Sequence, residues 1–208
     1  EAKATIGLVD LALAELREGR PARNAEVAPD DEKAWRMLQL LTAKPVMFVA
    51  NVDEESAATG NEHSEAVKTR AAEENAACVV ISAKIEAELA LLEPVERAEY
   101  LDELGLEEPG LNRLIHAGYT LLDLQTYFTA GPKEARAWTI RQGWTAPKAA
   151  GVIHGDFEKG FIRAETTAYD DYVACGGEAG ARDAGKLRQE GKDYVVQDGD
   201  VMLFKFNV

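Results

Sequence analysis

The sequence has 208 residues, of which 46% are hydrophobic and 29% are charged. This is enough to bury a sizeable core in one large domain or two small ones. No apolar run approaches the roughly 20 residues that a membrane helix needs, and the N-terminus lacks the charged-then-apolar pattern of a signal peptide. The sequence therefore predicts a globular, cytoplasmic protein and excludes a membrane as partner.

The formal net charge of −14 is unevenly distributed along the chain. Residues 1–130 hold 12 Lys and Arg against 25 Asp and Glu, whereas residues 131–208 hold 11 against 12. Phosphate groups would be repelled by the first part. Only the C-terminal third is therefore a plausible contact for a polyanion such as RNA.

The first 43 residues carry two apolar patterns at helical spacing. One recurs every three or four residues and ends before Gly19; its members are Ile6, Val9, Leu13 and Leu16. The other follows Asp31, a residue type that caps helices; its members are Trp35, Leu38 and Leu41. Residues 1–43 are therefore predicted to form a helical hairpin. The chain starts with Glu1 rather than Met, directly in a helical pattern, so we expect the natural protein to begin upstream.

Residues 44–119 have the pattern of an α/β unit. Continuous apolar runs at residues 46–50 and 78–81 are typical of strands that are buried on both faces of a parallel sheet. A helical segment at residues 64–74 lies between them, which predicts a strand-helix-strand unit. Three further helices are expected at 85–92, 94–104 and 110–119.

Residues 120–208 change to short runs of β-type residues. Strands are predicted at 124–128, 135–141, 161–167, 194–196 and 201–206, and helices at 147–154 and 177–188. Two strands, a helix and then further strands within this length favour a β-grasp, ubiquitin-like domain.

Two short motifs directly follow the predicted buried strands. They are Asn51-Val52-Asp53-Glu54 after the first strand and Ser82-Ala83-Lys84 after the second. Ligands of open α/β sheets bind at the carboxyl ends of the strands, so both motifs lie where a ligand site is expected. Their pairing resembles the N-K-x-D and S-A-K base-recognition motifs of translation-factor GTPases. Each motif alone is short, and Asn51 and Glu54 taken alone are equally compatible with loop and cap residues.

Three features near these motifs resemble the YchF subfamily of Obg-like NTPases. They are the Asn-x-x-Glu form of the first motif, the segment ISAKIEAEL at residues 81–89 and the segment GLEEPGLNR at residues 105–113. Farther along, QTYFTAG at 125–131, EARAWTI at 134–140 and GKDYVVQDGD at 191–200 resemble the TGS domain that closes YchF proteins. The resemblance covers nearly the whole chain.

The resemblance implies a fold and a set of ligand contacts. The fold is α/β: a partial P-loop NTPase sheet with a helical hairpin that is part of the family's helical arm, followed by a β-grasp TGS domain. The implied nucleotide contacts are Asn51, Val52, Glu54, Ser82, Ala83 and Lys84. The intact protein is expected to hydrolyse ATP, or GTP, with Mg²⁺, and to bind the ribosome or RNA, but not DNA, through the TGS domain.

The first motif also bears on the choice of base. In GTPases the Asp of N-K-x-D accepts hydrogen bonds from guanine N1–H and the 2-amino group, and adenine lacks both donors. Here that position is Glu54, which is one methylene longer, and Val52 replaces the Lys. The guanine contact is therefore weakened, in agreement with the preference for ATP that the resemblance implies.

The sequence shows no loop that could hold the phosphates. Residues 180–186 fit G-x-x-x-x-G-K, but Leu187 has no hydroxyl for Mg²⁺ and no apolar strand precedes Gly180, so we interpret the segment as a surface helix or turn. We expect this chain alone to hold no tightly bound nucleotide and to have no catalytic residues. The histidines share no metal-ligand spacing. A non-catalytic protein or RNA interaction module is the alternative function, with candidate phosphate contacts at Arg136, Arg141, Lys148, Lys159 and Arg163.

Overall fold

A computed structural model describes residues 2–207, with side chains from residue 5 onward. The chain is α/β and divides after Leu121 into two compact units. No helix in the described part of the chain is long and apolar enough to cross a membrane.

The first unit begins with helix α1 (Ala2–Arg17), which ends before Gly19 as predicted. From Thr5 onward, Leu8 and Ala12 are the only buried residues of α1. The residues of the predicted apolar face are between 36% and 61% exposed: Ile6, Val9, Leu13 and Leu16. This stripe of α1 therefore remains largely uncovered in the structure.

The second predicted helix is much shorter than the pattern suggested. Helix α2 spans Glu32–Met37 and is flanked by 3-10 turns at Pro29–Asp31 and Leu41–Ala43. Gln39 has a φ of 50°, in the left-handed region, and this conformation stops the helix before Leu41.

The α/β part of the first unit contains a parallel strand pair. Strand β1 (Met47–Asn51) lies parallel to β2 (Ala77–Ile81), and α3 (Glu62–Glu73) connects them. Helix α3 starts at a capping box formed by Asn61 and Ser64, in which each side chain accepts from the other's backbone N–H. The strand-helix-strand unit is thus as the sequence predicted, although Val49 in β1 is 43% exposed rather than buried.

Three helices complete the first unit: α4 (Ala83–Leu89), α5 (Pro94–Glu103) and α6 (Gly110–Leu121). Its core cluster consists of Ala57, Ile85, Leu89 and Leu101. The Glu86 carboxylate accepts hydrogen bonds from the backbone N–H groups of Gly110 (2.7 Å) and Leu111 (3.1 Å), so a side chain of α4 fixes the start of α6. A Cβ at Gly110 would lie 2.8 Å from Glu86 Oε1, which explains the glycine.

The second unit is a five-stranded mixed sheet with the strand order β4-β3-β7-β5-β6. Its strands are β3 (Leu124–Ala130), β4 (Ala135–Arg141), β5 (Phe161–Ala168), β6 (Arg188–Glu190) and β7 (Asp200–Phe206). Its helices are α7 (Ala146–Ile153), α8 (Gly155–Lys159), α9 (Tyr169–Ala174) and α10 (Glu178–Asp183). Strands β3 and β7 are parallel, and the other neighbours are antiparallel.

Helix α7 packs on one face of this sheet and closes the core. Tyr127 of β3 is completely buried, and its hydroxyl donates to the Ala149 carbonyl of α7 at 3.0 Å. Its ring meets that of Phe204 edge-on, with centroids 5.7 Å apart. Burial raises the pKa of the Tyr127 hydroxyl well above its usual value, so it stays protonated and keeps this bond.

Two predicted elements of the second unit differ from the structure. The expected strand at residues 194–196 is an isolated bridge between Val195 and Thr145. The expected helix at 177–188 ends at Asp183, because Gly185 adopts a φ of 69°. The chain then enters β6, which the sequence analysis did not predict.

A buried carboxylate organises the turn that leads into β7. The Asp200 side chain is 3% exposed. Its Oδ2 accepts from the Tyr194 hydroxyl (2.7 Å) and from the Gln197 backbone N–H (2.9 Å), and Arg188 Nη2 lies 3.5 Å from Oδ1. Burial raises the pKa of Tyr194 to about 12, and the hydrogen bond to Asp200 acts in the same direction.

Candidate functional site

The parallel pairing of β1 and β2 brings the two predicted motifs to the same edge of the sheet. Asn51, the last residue of β1, lies opposite Ile81, the last residue of β2. The two motifs therefore lie side by side in the loops that follow the carboxyl ends of β1 and β2. This is the edge at which α/β sheets bind ligands.

Hydrogen bonds connect the two loops directly. The Asn51 side chain accepts from the Ala83 backbone N–H through Oδ1 at 2.9 Å, across 32 residues of sequence. The Val52 backbone N–H donates to the Ile81 carbonyl at 2.8 Å, which extends the strand pairing by one step. Asn51 thus fixes the start of the second loop, and its side-chain amide nitrogen has no hydrogen-bond partner among the described residues.

An ion pair joins the loops farther from the sheet. Lys84 Nζ lies 2.5 Å from Glu54 Oε1, and the two side chains are 66% and 40% exposed. The hydrogen bond and negative charge of Glu54 raise the pKa of the Lys84 ammonium, which therefore stays charged. Because both groups remain in contact with water, the pair orients the side chains but contributes little to stability.

A second polar pair lies on the next turn of α4. The Tyr100 hydroxyl of α5 donates to Glu88 Oε2 at 2.5 Å. This bond raises the pKa of Tyr100, and the charge of Glu54 raises it further, so the two pairs act on each other electrostatically. Glu88 in turn helps to raise the pKa of Lys84.

Ser82 occupies the most enclosed position among the candidate residues. It is 3% exposed and precedes α4, but its side chain does not cap that helix. Its Oγ is buried and has no hydrogen-bond partner in the described structure. A buried hydroxyl without a partner is costly, and such groups commonly have a role outside the fold itself.

Other residues of the motifs have structural roles. Asp53 Oδ1 accepts from the Ser56 backbone N–H at 2.9 Å and so shapes the loop after β1. Glu86, whose contact with α6 is described above, connects the segments at 81–89 and 105–113 that carried part of the family resemblance. The sequence could not show this contact, because the two partners are 24 residues apart.

The segment that matches a phosphate-loop pattern is part of a packed helical turn. Residues 180–186 run through α10 and the turn that follows it. A Cβ at Gly180 would collide with the Cys175 carbonyl oxygen, so this glycine allows close backbone packing. Lys186 pairs with Asp171 at 3.1 Å. Both features agree with the interpretation of this segment as a helix or turn.

The candidate phosphate contacts of the second unit lie on different faces. In β4, Arg136 and Trp138 lie on the same face as the buried Ile140, which is the face that α7 covers, whereas Arg141 points to the opposite face. In β5, Arg163 lies 3.8 Å from Glu165, and both alternate with the buried Ala164. The five predicted cations therefore do not form a single cluster.

The chain is similar in sequence to several known proteins. Residues 124–207 match the family YchF-GTPase_C, described as "Protein of unknown function (DUF933)". The chain is 55% identical over 191 residues to the ribosome-binding ATPase YchF of Bacillus subtilis, covering 91% of this chain and 52% of the relative. It is 51% identical over 208 residues to the protein of the same name in Escherichia coli O157:H7, covering 100% of this chain and 57% of the relative.

Comparison of the fold with solved structures also finds a YchF protein. A solved structure of the Schizosaccharomyces pombe YchF GTPase matches with a TM-score of 0.81 and 34% identity, covering 98% of this chain and 54% of that chain. This chain spans about half the length of the curated relatives that it matches. Because the similarity extends over nearly all of this sequence in both comparisons, the chain belongs to the YchF-type (Obg-like) family.

Proposed function

We propose that this chain is the base-reading end of the nucleotide-binding domain of a longer, ribosome-associated protein, together with its C-terminal domain. One observation carries the proposal: two loops at the carboxyl ends of adjacent parallel strands are joined by the Asn51–Ala83 hydrogen bond and the Glu54–Lys84 ion pair. In an α/β sheet this position favours a ligand, and the two motifs favour a purine. Relatives over the same sequence are named ribosome-binding ATPases.

The base would lie against both loops. Asn51 offers its free amide nitrogen, Ser82 its unpartnered hydroxyl, and Val52, Ala83 and the alkyl stem of Lys84 an apolar border. Guanine needs a free carboxylate for its N1–H and 2-amino groups. Glu54 is already paired, so we propose that adenine, and hence ATP, is preferred over GTP.

The phosphates and Mg²⁺ would be held by residues outside this chain. The sequence contains one phosphate-loop pattern, and the structure packs its glycine against a carbonyl and its lysine against Asp171. Phosphoryl transfer depends on positioned charge around the γ-phosphate. We therefore propose that the longer protein hydrolyses ATP and that these 208 residues alone neither do so nor hold nucleotide tightly.

The domain assignment follows from the same proposal. Residues 44–119 would complete a P-loop NTPase sheet, and residues 1–43 would be part of its helical arm. Residues 120–208 would be a TGS domain of the β-grasp type, which is supported by the β3–β4 hairpin, the helix α7 across the sheet and the parallel pairing of β3 with β7. A cytoplasmic location follows from ribosome association.

A nucleotide titration of the full-length protein from the same gene tests the base assignment. We expect ATP to bind more tightly than GTP. Val52→Lys combined with Glu54→Asp restores the guanine contact and should shift the affinity ratio toward GTP by about tenfold or more, since a hydrogen bond to a charged group is worth roughly 1.5–3 kcal/mol. Glu55→Asp makes the same chemical change one residue farther on, at an exposed position, and should leave the ratio unchanged.

Two results would contradict the proposal. An unchanged ratio in the double variant would show that residues 51–54 do not read the base. ATP or GTP turnover above a buffer blank by the purified 208-residue chain would show that its phosphate chemistry lies within these residues. A full-length protein that pellets with ribosomes but binds no nucleotide would favour the second candidate, a non-catalytic interaction module.

A further inference from the structure

An open groove of about 550 Å³ lies between helix α4, helix α5 and the turn that joins them. Its apolar lining consists of Leu91 and Leu92, which lie in the turn, and the ring of Tyr100 on α5. Leu91 is 87% exposed, more than any other large apolar side chain in the described part of the chain. None of the candidate nucleotide contacts lines this groove. It is therefore a separate surface with an uncovered apolar floor.

Four carboxylates surround the apolar floor. Glu96, Glu99 and Glu103 line the groove from α5, where their spacing of three and four residues places them on one face of the helix, in a row about 10 Å long. Glu88 lines it from α4. None of the four forms an ion pair with a Lys, Arg or His among the residues that the structure describes. The rim of the groove thus carries negative charge without a neighbouring cation.

The sequence around the groove adds to this charge. Residues 83–108 hold nine Asp and Glu against two Lys and Arg, a net charge of −7 out of −14 for the whole chain. Both cations are engaged elsewhere: Lys84 pairs with Glu54, and Arg97 donates to two backbone carbonyls in and after α4, each at 3.1 Å. Half of the net negative charge of the protein is therefore concentrated around one groove.

The arrangement of the carboxylates indicates the kind of cation that would fit them. No group of three or more His, Cys, Asp and Glu side chains in the described structure is placed to hold a metal ion. The carboxylates form a row beside an apolar floor, which matches a chain that alternates positive charges with apolar side chains. A basic amphipathic helix has this arrangement, and such helices bind in grooves through apolar anchor residues.

We infer that the groove between α4 and α5 binds a basic amphipathic segment of a partner protein. Lys or Arg side chains of that segment would pair with Glu96, Glu99 and Glu103, and an apolar side chain would cover Leu91. A second copy of this groove would be repelled by the like charge, so charge complementarity favours a different, basic partner. Glu88 follows the start of α4 by about one helical turn, so the bound segment would lie beside the candidate base contacts. The inference goes beyond the proposed function and does not depend on nucleotide binding.

A synthetic peptide tests the inference in the 208-residue chain. The probe is a fluorescent, helix-forming peptide of Lys, Leu and Ala, about 14 residues or four turns long, with Lys along one side and Leu beside it. A peptide of the same composition in scrambled order, which lacks the amphipathic pattern, is the first control. Binding is measured by fluorescence anisotropy across a salt series.

Matched variants separate the groove from the charge around it. Glu99→Gln with Glu103→Gln removes two carboxylates that line the groove, and Asp102→Asn with Glu107→Gln removes two exposed carboxylates nearby that do not. The first pair should weaken peptide binding by about fivefold or more at low salt, and the second should stay within about twofold. Equal losses in both pairs would overturn the inference, because binding would then depend on net charge alone.

The apolar floor is tested in the same way. Leu91→Ala should weaken binding by about threefold or more, because it removes apolar contact area. Val95→Ala should leave it unchanged, since Val95 is 72% exposed but lies outside the groove. Unchanged binding in Leu91→Ala, together with equal binding of the scrambled peptide, would overturn the inference in favour of a site for any polycation, such as a polyamine.

Charge reversal controls for damage to the fold. Glu99→Lys with Glu103→Lys should lose the basic peptide and gain a peptide in which Glu replaces Lys, a result that an unfolded variant would not give. Circular dichroism verifies that the helix content of every variant is unchanged. No saturable binding of the basic peptide by the unmodified chain at any salt concentration would overturn the inference.

The full-length protein from the same gene shows whether the groove is open to a partner. It should bind the basic peptide with the same dependence on Glu99 and Glu103. Binding by the 208-residue chain but not by the full-length protein would overturn the inference, because the rest of the protein would then cover the groove. The ratio of ATP to GTP affinity is measured separately, so a failure of the groove leaves the test of the proposed function intact.

Discussion

The two units of the chain differ in how completely they bury their apolar residues. The second unit gathers ten buried residues into one core between α7 and the sheet. The first unit is longer, yet its core cluster has four buried residues. It also exposes large apolar side chains along α1 and in β1, including Ile6 (61%), Leu16 (42%) and Val49 (43%).

This difference shows that a hydrophobic pattern can specify a helix or strand without specifying what covers it. The apolar stripe of α1 correctly predicts a helix, but the residues that bury against the rest of the unit are Leu8 and Ala12. The second unit, by contrast, gathers its buried residues into one cluster, although Ile162 and Val173 remain exposed.

Separate production of the two units is the strongest test of this contrast. Residues 122–208 should unfold cooperatively in urea, with a single transition seen by both tryptophan fluorescence and circular dichroism. Residues 1–121 should bind a hydrophobic dye and associate, because their apolar stripe has no cover. A monomeric, dye-free and cooperatively folded first unit would contradict this expectation.

The same contrast explains which elements the sequence could predict. Strands β3, β4, β5 and β7 contain core residues, so their patterns located them to within a few residues. Strand β6 is Arg-Gln-Glu, has no apolar signal, and exists because it pairs with β5. The sequence overestimates the length of the second helix of the first unit. The spacing of Trp35, Leu38 and Leu41 is helical, but the left-handed conformation of Gln39 ends the helix before Leu41.

The candidate site shows the same limit of sequence reasoning. The motif positions followed from the strands, because parallel strands in register must end at the same edge. The contacts did not: the Asn51–Ala83 bond spans 32 residues, and nothing local indicates that Glu54 is paired with Lys84. The cations of the second unit could be counted from the sequence, but only the structure shows that they lie on different faces.

Removal of the Asp200 carboxylate tests how much this buried group stabilises the second unit. Asp200→Ala leaves the Tyr194 hydroxyl and the Gln197 N–H without their acceptor in a buried turn. We expect the free energy of unfolding of residues 122–208 to fall by about 2–4 kcal/mol in urea titrations. Asp193→Ala changes an exposed carboxylate seven residues earlier and should stay within about 0.5 kcal/mol. Similar effects of both variants would show that burial of Asp200 is unimportant.

Alkaline pH should weaken the second unit through Tyr194. Its folded pKa of about 12 is higher than the value of about 10 in an unfolded chain, so the folded state favours the protonated hydroxyl. The stability that this hydroxyl contributes is fully present below pH 10 and is lost as the pH rises toward 12. Urea titrations of residues 122–208 between pH 9 and pH 12 should show this decline.

Tyr194→Phe is the control for that pH dependence. It should lower stability at neutral pH, because Asp200 loses a donor, and it should reduce the slope above pH 10. Some slope should remain, because burial also raises the pKa of Tyr127. An identical slope in Tyr194→Phe and the unmodified segment would mean that the pKa of Tyr194 is the same in the folded and unfolded states.

The smallest effect is expected at the exposed pair of the first unit. Lys84→Met removes the ammonium but keeps the alkyl stem, which frees the Glu54 carboxylate to accept from guanine. In the full-length protein this should raise the affinity for GTP relative to ATP by less than about tenfold, because exposed ion pairs compete only weakly. Thermal unfolding of the 208-residue chain should not change measurably. Lys68→Met, which breaks an ion pair with Glu65 on α3, should alter neither quantity.

A double-variant cycle shows whether Glu54 is the group that responds. If Lys84 acts by holding Glu54, then Glu54→Gln should abolish the gain in GTP affinity that Lys84→Met produces, because an amide cannot accept both guanine donors as a carboxylate does. An equal gain in the Glu54→Gln background would show that Lys84 acts directly on the base. In that case the ion pair would serve to orient Lys84 rather than to restrain Glu54. The base preference would then depend on Asn51, Val52 and Ser82.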